Sequence, residues 1–528
     1  MSSRTTDALL WLVLAVLLLY TIPIGFVSND GLGHSRSFAR GSWHFNPNHL
    51  LFEPLGAWWQ DLWARSGSQR EPVDVLKLLS ALFGATAAGL FRYGVAPRLA
   101  ETRWAANHAT AWMTFSSAFL RLWVSDEIHM IQMPFVILVA WDALRYLEKP
   151  SFGRALAIGA AVGLATLTFI SNLALGLTLA AAIAAWHLWR REARLATTSA
   201  ASLGLGAALT AGPVFLGVWR TVQGAPGFLG WLTGYGGGQS PGRISEAYGL
   251  VPSWEGLVEA VARAVFGAAS ALVDLIPAAA AVRDRQAPTL AAVLGFLAFL
   301  AAAAALLHGL RNVLRAPWRP AEGGALLLTV AWLVPILGFG VFWSNSDDQF
   351  YFQLAPVFGA LAARITGRRF LALSLAGLLW NLVDVTSHRI LYPRGERMAL
   401  LEREVRGACL VVYPGFDEPE LLLRMSRSAR SIDQMSMTRL AVEHPYEEGM
   451  KNLVGRIDDC SARGGRIVLI DMFDTPRDQK PWKFLRRLGY DHAVVERSLK
   501  RLPVERTSRR VGPFTVRKSR GVDYQGGH

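Results

Sequence analysis

The sequence is short of the features that mark most soluble enzymes. Of its 528 residues only 18% are charged and only two are cysteine, Cys409 and Cys460, whereas a soluble domain carries about 25% charged residues. Two cysteines exclude a disulfide scaffold, a cysteine-rich zinc site and an iron–sulfur cluster. No glycine-rich phosphate loop and no nucleophile elbow is present, and Gly464-Gly465 precedes an apolar run instead of following one, so it reads as a turn. The net charge of +14 comes without a basic stripe interleaved with aromatics, which excludes a nucleic-acid reader. There is no long internal repeat and no low-complexity tract.

What the chain has instead is apolar length. Its residues are 52% hydrophobic and its mean hydropathy is +0.27. A membrane span needs about 20 mostly apolar residues. The first such run is Leu9–Phe26, which no small-residue cleavage site follows, so it reads as an anchor and not as a removed signal peptide. Further runs lie near 73–91, 104–123, 131–147, 154–170, 172–189, 199–218, 288–308, 324–343, 350–364 and 370–388. The expected fold is therefore an α-helical polytopic membrane domain of about eleven spans over 1–388, followed by a soluble α/β domain over 389–528. Large outer loops are expected at 27–72 and 219–287, the second with an interfacial helix near 258–282.

Charge placement sets the orientation. With a cytoplasmic N-terminus, the inner segments hold sixteen cations, from Arg4 through Arg98, Arg145, Arg190 and Arg315 to Arg369, against five acids. The short outer loops 124–130 and 344–350 carry Asp126, Glu127, Asp347 and Asp348 and no cation. The positive-inside rule favours this arrangement, and an odd span count then places the C-terminal domain outside the cytoplasm. That domain holds 27 Lys and Arg against 19 Asp and Glu, a balance suited to anionic headgroups. Its pattern predicts strands at 408–413 and 466–472, helices near 418–430, 445–462 and 482–488, and β-rich stretches near 492–496 and 511–517. An outer location permits a bond between Cys409 and Cys460 without requiring one.

Candidate chemistry gathers at the outer ends of the spans. The loop after the first span reads Ser28-Asn29-Asp30-Gly31 and continues through His34, Phe38, His44, His49, Glu53 and Trp58-Trp59. Asn29-Asp30-Gly31 fits an ordinary turn, yet a carboxylate at the edge of hydrocarbon is also placed to take a proton from a hydroxyl. Asp126, Glu127 and His129 occupy the second outer loop, Arg121 lies one turn inside it, and Lys77 sits in the first outer turns of the second span. Acids beside cations suit transfer from a phosphate-linked donor, while cations at span ends also serve as interfacial anchors. The histidines with Glu53 or Asp126 offer ligands for a divalent metal ion at no recognised metal spacing. Tyr351 stands on a third outer loop, where a solvated role fits equally.

In this order and sidedness the chain resembles the GT-C superfamily of membrane glycosyltransferases, which includes protein mannosyltransferases and lipid A aminoarabinose transferases. The resemblance covers roughly residues 8–388. It rests on Asn29-Asp30-Gly31 with His34 and Phe38, Val75–Gly84, Tyr93 to Arg103-Trp104, Ser125-Asp126-Glu127, and Trp343–Pro356. It implies a polyprenyl-phosphate sugar as donor and an extracytoplasmic lipid, polysaccharide or protein hydroxyl as acceptor. It implies Asp30 as the catalytic acid acting as base, with Asp126 or Glu127 at the second acidic position. It implies Lys77 as a residue facing the donor phosphate, with Arg121 or Arg220 as further candidates for that contact; His34, His49, Glu53, His129 and Tyr351 are the expected substrate-binding residues. Gly31 stands where many members carry a second acid, and the late loop lacks a basic residue often found there.

The expected reaction is inverting glycosyl transfer, with carrier phosphate as leaving group and no nucleotide required. The rivals are a transporter or flippase of lipid-linked glycans and a non-catalytic membrane sensor or assembly protein. Transporters gather ionisable groups at mid-bilayer; here they gather at outer span ends. A sensor has no need of Asp30.

Overall fold

The structure is a computed structural model. It describes residues 11, 34–35, 37–38, 49–67, 72–123, 125, 128–221, 227–228, 231, 290–342, 351–391, 394–415, 419, 422–423, 426, 428–472, 480–500, 509–511 and 514–519. The described residues divide into two compact units, one ending at Ile390 and one beginning at Leu391.

The first unit is all helix. Helix α1 (Phe52–Arg65) precedes α2 (Pro72–Leu99), whose π turn at Phe91–Val95 seats Gly94 against the Trp141 ring. There follow α3 (Arg103–Phe115), α4 (Ser117–Trp123), α5 (Met133–Glu148), α6 (Phe152–Thr168), α7 (Asn172–Trp189), α8 (Ala193–Thr221), α9 (Leu290–Arg315), α10 (Pro320–Phe342), α11 (Ala355–Ala362) and α12 (Arg368–Leu391). Among the described residues six helices are long and apolar enough to cross a membrane, on α2, α5, α7, α8, α9 and α10. Large apolar side chains such as Leu177, Leu209, Leu297 and Leu379 stand exposed. Such a surface belongs in hydrocarbon, and the chain is a multi-pass membrane protein. Ten of the eleven expected runs coincide with these helices, α3 and α4 together making one; the run at Leu9–Phe26 and the helix near 258–282 lie outside the described residues. The run at 350–364 is shorter than the sequence suggests. A 3₁₀ turn at Phe352–Leu354 leads into α11, and every residue of both is buried. Eleven residues rise only about 17 Å, too little to cross about 30 Å of hydrocarbon alone.

Glycine lets two helices touch. A β-carbon on Gly159 of α6 would collide with the Leu203 carbonyl of α8, and one on Gly206 would collide with the Leu156 carbonyl. Small residues at such crossings replace the hydrophobic drive that lipid removes.

Ionic contacts gather at one end of the bundle. Arg98 Nε meets Glu148 Oε1 at 3.0 Å, and the buried Arg364 pairs with Glu322, with Glu101 at 3.1 Å and with the Leu99 carbonyl at 3.2 Å. Beside them His187 Nδ1 lies 2.7 Å from Glu192 Oε2. A carboxylate only accepts, so Nδ1 donates to it, and Nε2 shares a second hydrogen bond with the Tyr146 hydroxyl at 2.7 Å. All these residues come from segments expected on the inner side, and the structure joins those segments to one another.

The second unit begins with α13 (Arg394–Val405) and carries a five-stranded sheet, with β1 (Ala408–Tyr413), β2 (Asp433–Ser436), β3 (Arg466–Ile470), β4 (Arg509–Val511) and β5 (Phe514–Lys518) in the order β2-β1-β3-β5-β4. Strands β2, β1 and β3 run parallel and β5 and β4 antiparallel. Helices α14 (Met437–Glu443), α15 (Tyr446–Ala462), α16 (Lys480–Arg487) and α17 (His492–Lys500) complete it. The expected β-rich stretch at 492–496 is the start of α17. Its valines suggested a strand, but His492, Val495 and Leu499 are buried at helical spacing and Asp491 Oδ1 accepts from the Ala493 amide at 2.7 Å, capping a helix.

Cys409 of β1 and Cys460 of α15 are joined in a disulfide across 51 residues. Closing a loop of that length in the unfolded chain stabilises the fold by about 2–4 kcal/mol. Cys409→Ala with Cys460→Ala should lower the urea midpoint of this unit by a corresponding amount, and reductant should have the same effect on wild type and none on the double variant. Equal midpoints for all three would remove the stabilising role.

Candidate active site

At the end of the bundle opposite the ionic layer, the outer loop folds down onto the helices. Trp59 Nε1 donates to the Val75 carbonyl at 2.8 Å and Gln60 Nε2 to the Pro72 carbonyl at 2.5 Å, fastening α1 to the first turn of α2. Phe38 and Phe52 pack with Leu76, Leu79 and Ile131. This packing brings His34 against the Phe52 ring at 5.0 Å and within 3.8 Å of Glu53 Oε1. One residue beyond Leu76, Lys77 is 2% exposed and its Nζ lies 3.4 Å from Asp74 Oδ1.

Next to this group is a cluster of rings. His49 stacks on Phe169 at 5.1 Å and meets His129 at 5.8 Å, while His129 touches Phe169 at 4.8 Å and Phe352 at 6.3 Å. The Leu51 amide donates to the Leu167 carbonyl at 2.8 Å, which draws the loop down to the end of α6. Tyr351, beside Phe352, is fully buried.

Behind the rings sit three neutral amides that a charge-based reading passes over. Gln132 Oε1 accepts from Asn172 Nδ2 and from Gln353 Nε2, each at 2.6 Å, and Asn172 also donates to the carbonyls of Ala165 and Phe169. Their only signal in the sequence is an isolated amide at the start of an apolar run.

Burial shapes the electrostatics. It pushes the His34 imidazole down to about 4, so at neutral pH the His34–Glu53 approach involves an uncharged ring. His49 is held well below its ordinary value by burial first, then by His129 and His34. A histidine whose pKa falls on folding contributes stability that is complete above about 6.5 and is lost as pH falls toward 4. Stability should therefore fall between those limits, with a slope of up to about 1.4 kcal/mol per pH unit for one proton. His34→Gln should flatten that slope in pH-resolved thermal melts; an unchanged profile would take His34 out of the titration.

The structure thus brings together His34, Glu53, Lys77, His49, His129 and Tyr351. Asp30, Asp126, Glu127 and His44 lie outside the described residues, as does the Arg121 side chain. Arg220 is exposed on the last turn of α8. Among the described residues no three His, Cys, Asp or Glu side chains converge as a metal site would require. An apolar groove of about 360 Å³ runs between α6, α7 and α8, lined by Val162, Gly163, Leu177, Ala207 and Phe215 among others. Phe215 also packs with Leu50, the neighbour of His49.

No protein-family model matches the chain, and no curated protein matches it by sequence. Solved structures do match it. ArnT from Cupriavidus metallidurans bound to undecaprenyl phosphate is 14% identical, with 99% of each chain covered and a TM-score of 0.53. The same protein in its apo state gives 14%, 98% of each chain and 0.53. The Archaeoglobus fulgidus oligosaccharyltransferase tethered to an acceptor peptide is 12% identical, covering 93% of this chain and 72% of that one at 0.50. The chain therefore shares the fold of these membrane proteins.

Proposed function

We propose that this protein is a membrane glycosyltransferase that moves a sugar from a polyprenyl-phosphate donor to an acceptor hydroxyl, with inversion, on the extracytoplasmic side. One observation carries the reading. A buried lysine and a sunken ring-lined cluster share one end of a membrane bundle whose fold matches, over 99% of both chains, a protein crystallised with undecaprenyl phosphate.

Lys77, with Arg121 and Arg220 as further candidates, holds the donor phosphate. The groove between α6, α7 and α8 has the chemistry to take isoprenoid chain, since its lining is aliphatic, glycine and aromatic. Asp30 takes the proton of the acceptor hydroxyl as the oxygen attacks the anomeric carbon. The bond from that carbon to the phosphate oxygen breaks on the opposite face, and the carrier phosphate leaves with the electron pair. Asp126 or Glu127 orients the acceptor, and His34, His49 and His129 with Tyr351 shape a pocket that excludes water. The Cys409–Cys460 disulfide supports an oxidising compartment for the second unit, in keeping with a cytoplasmic N-terminus and a bacterial inner membrane. A divalent ion held by some of these side chains would supply further charge stabilisation.

The test is a transfer assay. Purified full-length protein in lipid is given undecaprenyl phosphate carrying a labelled sugar together with envelope lipid, polysaccharide or protein acceptors. Label should pass to an acceptor fraction, leaving undecaprenyl phosphate. If the labelled carrier crosses a vesicle bilayer intact and no acceptor is labelled, the chain is a transporter and the proposal fails.

A further inference from the structure

Two amide atoms behind the rings have no partner. Gln132 is 1% exposed and Asn172 0%, yet among the described residues Gln132 Nε2 and Asn172 Oδ1 make no hydrogen bond. Neither atom can be satisfied by turning its amide over. Asn172 Nδ2 is held by the Ala165 and Phe169 carbonyls, and Gln132 Oε1 by two N–H donors. A buried polar group left unmade is destabilising, and two of them on one hydrogen-bonded unit call for a third party.

The leftover pair defines that party's chemistry. One atom donates and the other accepts, and both belong to amides joined at Gln132 Oε1. A phosphate only accepts and would leave Asn172 Oδ1 bare; an ammonium only donates and would leave Gln132 Nε2 bare. A hydroxyl does both. The amides share their segments with the buried rings: His129 lies on the same 3₁₀ turn as Gln132, Phe352 precedes Gln353, and the Phe169 carbonyl is itself an acceptor for Asn172. Hydroxyl-matched amides among aromatic residues fit a sugar, whose edge is hydroxyl and whose face is C–H.

We infer that Gln132 and Asn172, braced by Gln353, form the subsite that reads a hydroxyl of the donor sugar, on residues distinct from the lysine that faces the phosphate. This rests on the glycosyltransferase reading above. It assigns sugar selection to residues distinct from the phosphate contact, so affinity for sugar and for carrier should separate. Gln132 touches the sugar, while Gln353 acts only through Gln132 as a positioning residue.

The experiment measures binding by full-length protein in nanodiscs. The probes are undecaprenyl phosphate and the same carrier bearing glucose, mannose or N-acetylglucosamine, followed by monodeoxy analogues of whichever sugar binds most tightly. For wild type one monodeoxy analogue should bind about 10- to 100-fold more weakly than its parent. Gln132→Met should weaken the sugar-bearing carrier by the same factor, abolish the monodeoxy discrimination, and leave undecaprenyl phosphate within about twofold. Should Gln132→Met fail to fold, Gln132→Glu, which keeps the shared acceptor oxygen, takes its place with the same readout. Equal loss for sugar-bearing and bare carrier would make the amides a structural hub, and no loss for either would make the third party an internal water; both outcomes overturn the inference. If wild type binds undecaprenyl phosphate but no sugar adds affinity, the subsite is refuted while a carrier-binding role stands. If it binds neither, the glycosyltransferase reading falls and the subsite falls with it.

Discussion

Asp30→Asn should leave the protein folded and its affinity for undecaprenyl phosphate within about threefold of wild type, yet lower turnover about 10³-fold. The reason is differential. An amide has nearly the shape of a carboxylate but cannot take a proton, and positioned general bases contribute about 10²–10⁴ in rate. A more acidic acceptor separates the base from a merely structural residue, since its hydroxyl needs less help and the defect should shrink. A variant with wild-type turnover on every acceptor would remove Asp30 from the reaction and move the base role to Asp126 or Glu127.

Much of the architecture was legible because hydrocarbon imposes a simple grammar. Apolar runs of the right length became helices, and arginines expected on one side were found bonded together, with Arg364 tied to Glu101 and Glu322. Charge asymmetry read those arginines only as topology, and nothing in the sequence announced their long-range pairing. Three things were hidden for physical reasons. The run before Arg364 was apolar enough for a span, but its length as helix depends on where the chain leaves the 3₁₀ turn at Phe352–Leu354. The valines of α17 carry strand propensity that Asp491 capping and burial at helical spacing override. The Gln132, Asn172 and Gln353 amides carry no charge, match no motif and are up to 221 residues apart in sequence, so only folding reveals that they meet. By contrast, His34, Glu53 and Lys77 were visible because ionisable groups beside apolar runs are rare enough to stand out.

Lys77→Met should lower turnover about 10²- to 10³-fold and weaken undecaprenyl phosphate binding about tenfold, without disturbing the fold. Methionine keeps most of the stem volume among Leu76 and Leu79, so packing survives. What disappears is a positive charge at a position only 2% exposed, beside a helix turn that also carries Asp74. A buried ammonium is costly to keep charged, and Asp74 Oδ1 at 3.4 Å offers it one exposed counterion. A donor phosphate brings more negative charge, and that charge grows on the leaving oxygen as the glycosidic bond breaks. The lysine therefore binds the transition state better than the ground state, and loss of one such preorganised charge costs about 10²–10³ in kcat. Because the site is buried, added salt should screen the contact little, unlike a surface pair. Lys77→Arg should recover charge but not full turnover, since a planar guanidinium needs more room than a compact ammonium. If Lys77→Met kept both wild-type turnover and carrier affinity, the phosphate would lie elsewhere, with Arg121 and Arg220 the next positions to change.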